Sequence, residues 1–120
     1  MTRRTERVNE LLREEISRIV LRELHDPAFQ RGLISVTDVE VSPDLRHARV
    51  FVSVMGSEEE RVQVFEALER ARHFVERGLS RRLAMRQTPE LAFRRDDSIE
   101  RAVRLTQLIK DVAAEQGDTL

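Results

Sequence analysis

Residues 33–55 read LISVTDVEVSPDLRHARVFVSVM, two alternating apolar–polar runs separated by a short turn. A period of two marks extended backbone, because successive side chains leave opposite faces of a strand. In the second run Ala48, Val50, Val52 and Val54 share one face. In the first run Ile34 and Val36 have one parity, and Val39 and Val41 have the other. A β-bulge at Thr37-Asp38 would reconcile them. Ser42-Pro43-Asp44-Leu45 carries turn chemistry. The segment is therefore predicted to be a hairpin with one apolar face. A lone hairpin is at best marginally stable in water, so other parts of the chain must cover that face.

Two segments have the pattern to do so. In residues 5–24, Val8, Leu11, Leu12, Ile16, Ile19, Val20 and Leu24 recur every three or four positions, as on one side of a helix. Thr5 is its expected cap, and Asp26-Pro27 its stop, before a loop over 28–32 that includes Gly32. After Gly56, Ser57-Glu58-Glu59-Glu60 is a capping box. The helix that it opens should turn Val62, Phe65 and Leu68 inward and run towards Leu83, with a break near 71–73. Pro89 ends the helical phase. ELAFRR, 90–95, is a third strand with Leu91 and Phe93 on one face. Asp97 or Ser98 should cap a last helix striped by Ile99, Val103, Leu108, Ile109 and Val112. Three strands with helices segregated to one face make an α+β fold. One domain is expected over 1–115, followed by a disordered tail at 116–120.

Little in the chain suggests chemistry. Without cysteine there is no disulfide, thiolate nucleophile or cysteine-held zinc. His25, His47 and His73 are too scattered for a metal-binding pair, and no metal or other cofactor is expected. The glycines at 32, 56, 78 and 117 are isolated, so no phosphate-cradling loop exists. Asp96-Asp97 before Ser98 reads as turn and cap rather than as an acid–base or metal-dependent pair. The chain is read as a non-enzyme. Its polar N-terminus has no apolar signal core, and no apolar run nears the roughly 20 residues of a membrane span, so a cytoplasmic location is expected.

Charge is where the sequence is informative. The net charge is −1, yet residues 70–95 hold eight arginines against two acids, a local +6. Twenty of the 21 basic residues are arginine, a bias that genomic base composition explains. The arrangement says more. At about 100° per residue, Arg70, His73, Arg77 and Arg81 fall on one helix face, and Ala71, Val75, Leu79 and Leu83 lie opposite. A solvated face normally mixes signs at i, i+4; here like charges repeat. An anionic partner would offset that repulsion, as in nucleic-acid binding. A protein-interaction module whose arginine face meets an acidic protein surface is the rival reading. With five Phe and no Tyr or Trp, backbone and shape recognition of folded RNA is expected rather than base stacking. Phe51 is the one candidate for an exposed ring, and Phe93 is read as core.

RTERV (4–8), EEISRIV (14–20), ELHDP (23–27), VTDVEVSPDLRHARVFVSV (36–54) and PELAFRRDDS (89–98) together resemble ribosome-binding factor A, a family of bacterial small-subunit maturation factors. The resemblance spans about residues 4–113. It implies a KH-like fold of type II order, helix–strand–strand–helix–helix–strand, plus the C-terminal helix. It also implies binding to the immature 30S subunit, on 16S rRNA near the 5′-end helix and the neck. Assistance in pre-16S rRNA maturation and low-temperature assembly, release by an assembly GTPase and a monomeric state are further expectations. Where the family has an Ala-x-Gly kink between its paired helices, this chain has Ala71 and then His73, so a milder bend is expected. Arg7, Arg49, Arg81 and Arg86 match positions that are basic in the family. Arg70, Arg72, His73, Arg77 and Arg82 join the expected RNA-binding set on local charge, and Arg94 and Arg95 carry the same weaker support.

Overall fold

Strands β1 (Leu33–Val41) and β2 (His47–Met55) pair antiparallel from Leu33↔Met55 to Val41↔Ala48, and the register slips between Val36 and Asp38. The parity switch in the sequence is thus a bulge. Thr37 lies within it, and its hydroxyl donates to Asp96 Oδ2 at 2.6 Å. Strand β3 (Glu90–Arg95) runs parallel to β2, setting Leu91 beside Ala48 and Phe93 beside Val50. The sheet order is β1-β2-β3, which leaves β2 central. The computed structural model describes residues 3–30 and 33–115. Gly32 and the expected tail at 116–120 lie outside them.

Helices α1 (Arg3–Arg22) and α2 (Glu58–Leu83) cover the apolar face of the sheet. Leu12, Ile16, Ile19 and Val20 of α1 and Val64, Leu68, Val75 and Leu79 of α2 are buried against Val36, Val39, Val50 and Val52. Burying each such side chain is worth roughly 1.5–3 kcal/mol. Asn9 is also buried, and its Oδ1 accepts the amide of Val41 on the β1 edge at 2.9 Å.

The expected capping box is present: Ser57 Oγ accepts the Glu60 amide at 3.1 Å, and Glu60 Oε1 accepts the Ser57 amide at 3.0 Å. Other expectations need correction. Helix α1 starts at Arg3, which puts Thr5 inside the helix and not at its cap. Val62 is exposed, because the buried face of α2 passes through Val64, Ala67 and Leu68. No break divides α2; residues 71–73 stay helical, and one helix stands where two joined by a bend were expected. Ala71-Arg72-His73 contains neither Gly nor Pro, so nothing there opposes helix propagation. The last helix, α3 (Ser98–Glu115), does start where Asp97-Ser98 was expected to open it, and its first amide donates to Asp96 Oδ1 at 2.9 Å. Helix α3 meets β2 but leaves Val103, Leu105, Leu108, Ile109 and Val112 exposed.

Candidate nucleic-acid interface

Helix α2 positions the basic segment. Its inner side is fixed by Val75, Gly78 and Leu79, all buried, and Glu76 also turns inward, its carboxylate accepting the Leu91 amide at 2.9 Å. Arg70, Phe74, Arg77 and Arg81 follow at i, i+4, i+7 and i+11, within a strip roughly 60° wide. All four are exposed. Arg77 and Arg81 make no ion pair among the described residues. Arg70 donates to Asp26 Oδ2 at 3.0 Å, which ties α2 to the segment after α1. The Ala28 amide and then Arg70 hold the Asp26 carboxyl below its ordinary value of 3.8. The donor geometry of a guanidinium suits the bidentate binding of phosphate oxygens.

The other expected residues do not join this row. Arg72 reaches Glu90 at the start of β3, at 3.3 Å, and also meets Glu69 at 3.3 Å and Glu76 at 3.7 Å on α2 itself. Arg82 turns back to α1 and pairs with Glu23 and, at 3.7 Å, with Glu15. Both guanidinium groups are thus already opposed by carboxylates. His73 is exposed beside Glu76 at 3.2 Å. Arg49 extends from the sheet face opposite Ala48 and Val50, away from α2, and pairs with Glu40 at 2.7 Å. The strand register thus keeps Arg49 apart from the helix row. Arg7 on α1 and Arg86, in the loop after α2, are exposed without ion pairs among the described residues. Arg94 is exposed at the end of β3, and Arg95 is bound to Glu58 at 2.6 Å.

Two features escaped the reading of the sequence. Phe74, 37% exposed, stands in the middle of the arginine row. Its i+4 spacing from Arg70 was visible, but the ring's exposure depends on how α2 rolls onto the sheet. The second is a cleft of about 550 Å³ whose walls include Arg46, Arg72, His73, Glu76 and Glu90; carboxylates there balance the cations. Asp96 and Asp97 serve Thr37, Ser98 and Arg95. Among the described residues no group of three or more His, Asp or Glu side chains could hold a metal ion, and no helix is long and apolar enough to cross a membrane.

Known proteins share this architecture and sequence. A family model described as ribosome-binding factor A matches residues 4–109. The Halothermothrix orenii protein of that name is 50% identical over 113 residues, covering 94% of this chain and 91% of the relative. The Acetivibrio thermocellus protein is 47% identical over 112 residues, covering 93% and 90%. The crystal structure of ribosome-binding factor A from Thermus thermophilus superposes with a TM-score of 0.66 at 27% identity, covering 76% of this chain and 93% of that one. A Thermus thermophilus homology model fitted into the cryo-EM map of a 30S complex gives 0.62 at 29% identity, covering 74% and 91%. The α+β, KH-like fold expected from the sequence is the fold of these neighbours. The chain belongs to the ribosome-binding factor A family.

Proposed function

We propose that this protein is a non-catalytic assembly factor of the 30S subunit that docks on 16S rRNA near its 5′ end and assists maturation of the precursor. It would act in the cytoplasm as one KH-like domain over residues 1–115, with release by an assembly GTPase. The names of its relatives and the 30S complex of the Thermus protein support the choice of target. One observation carries the mode of docking: Arg77 and Arg81 are exposed, unpaired among the described residues and on one strip of a helix whose other side is locked into the core.

The mechanism follows from that placement. Phosphates meeting Arg77 and Arg81 would displace condensed counterions, and affinity would fall with salt by about 0.7–0.9 log units per log unit for each phosphate neutralised. Because α2 is already ordered, little backbone entropy is lost on docking. Arg72 and Arg82 contribute by fastening α2 to β3 and α1, which keeps the strip in place. Arg49, on the far side of the sheet, is outside this contact.

Chemical footprinting of rRNA in immature 30S particles tests the reading. Protections clustered near the 5′ end of 16S rRNA are expected. Co-sedimentation with the particles but no rRNA protection would instead support an acidic protein surface as the partner.

A further inference from the structure

Phe74 lines one wall of a groove of about 240 Å³ between α2 and the segment that follows α1. Leu24 and Phe29 stand across from it, and Ala67 and Ala71 form part of the lining. A single exposed apolar side chain is ordinary on a protein surface. This one differs in its company: it opens onto an apolar groove and sits between Arg70 on one side and Arg77 and Arg81 on the other.

The charges around the groove are sorted. Glu23 and Asp26 stand at its rim on the α1 side. Their carboxylates would repel a phosphate placed in the groove itself. Arg77 and Arg81, unpaired among the described residues, lie further along α2, about 4.5 and 10.5 Å from Phe74 along the helix axis. A ligand that suits both parts has a flat apolar body and an anionic group beside it. We propose that the groove takes one unpaired base of RNA, stacked on Phe74, while Arg77 and Arg81 hold the adjoining phosphates. This inference rests on the phosphate-docking reading above and adds to it the nature of the RNA: a single-stranded stretch in place of a fully paired helix. Asp26 already accepts Ala28 N and Arg70, and Glu23 already accepts Arg82. Of the polar side chains that line the groove, only His25 carries no partner among the described residues, and stacking itself is tolerant of sequence.

The chain has neither tryptophan nor tyrosine, so Phe74→Trp creates the sole indole. Its emission, in the full chain, should be quenched saturably by an oligoadenylate nonamer and not by an abasic oligomer of equal charge. Phe74→Leu should bind the nonamer roughly 5- to 150-fold more weakly and leave affinity for the abasic oligomer unchanged. Thermal melts of both variants control for folding. Unchanged emission with the nonamer bound, or equal weakening towards both oligomers, overturns the proposal. Quenching by intact small subunits but by no oligonucleotide overturns it in favour of an apolar protein side chain. If Arg77→Glu/Arg81→Glu weakens nonamer binding while Phe74→Leu does not, stacking fails and phosphate docking stands; if neither variant matters, both fail.

Discussion

Gly78 of α2 approaches Ile19 of α1 so closely that a Cβ placed on it would lie 2.9 Å from Ile19 Cδ1. The two helices meet at the level of the basic strip, since Arg77 precedes this glycine and Arg81 follows it by less than a turn. Tight contact on the inner side of α2 is what gives its outer side a fixed orientation. Ile19 is fully buried, so it has little room to yield. Gly78→Val should therefore destabilise the fold by roughly 1–3 kcal/mol through overpacking, read as a lower urea midpoint.

Asn9 is the polar clamp between α1 and the β1 edge. Replacing it with alanine strands the buried amide of Val41, which now donates to Asn9 Oδ1 at 2.9 Å. An unsatisfied buried group costs about 1–3 kcal/mol. Asn9→Ala should lower stability by that amount in equilibrium denaturation, and amide exchange at Val41 should accelerate. Unchanged exchange at Val41 would mean that the clamp is unimportant.

Arg82 and Arg77 are near neighbours with different expected roles. Arg82 is engaged by Glu15 of α1 and by Glu23 just after it, whereas Arg77 faces solvent. Arg82→Gln should change stability by less than about 1 kcal/mol, as for a partly exposed ion pair, and weaken 30S binding less than Arg77→Gln does. The reverse order in a filter-binding comparison would reassign the contact.

Asp26 gives a pH signature. Its folded-state carboxyl lies below its ordinary value of 3.8, first through the Ala28 amide and then through Arg70. A depressed acid contributes stability above its unfolded value, and that contribution is lost as pH falls through the folded one. The stability gap between wild type and Asp26→Asn should thus be open at neutral pH and narrow below about pH 4. A gap independent of pH down to about pH 2 would contradict the assignment.

Most of the fold was legible because local and long-range signals agree. The parity switch at Thr37-Asp38 located the bulge, and Ser57 with Glu60 located the start of α2. Simple periodicity and capping carried these signals. The break expected near 71–73 is absent, because Ala71-Arg72-His73 holds neither Gly nor Pro and nothing there opposes helix propagation. The site was only half legible. Helical spacing put Arg70, Arg77 and Arg81 on one strip, but Arg72 and Arg82 are captured by Glu90, Glu23 and Glu15, which are distant in sequence. Such pairings depend on tertiary placement. Phe74 is not marked by spacing alone for the same reason, since only the packing of α2 against the 23–29 segment opens a groove beside it.

The salt dependence of affinity for purified 30S subunits, compared between wild type and the Arg77→Glu/Arg81→Glu variant, tests the central claim most directly. Loss of two phosphate contacts should weaken binding at least tenfold at physiological salt and flatten the log–log slope by about 1.4–1.8. A variant that folds normally and binds with the affinity and slope of the wild type would contradict it.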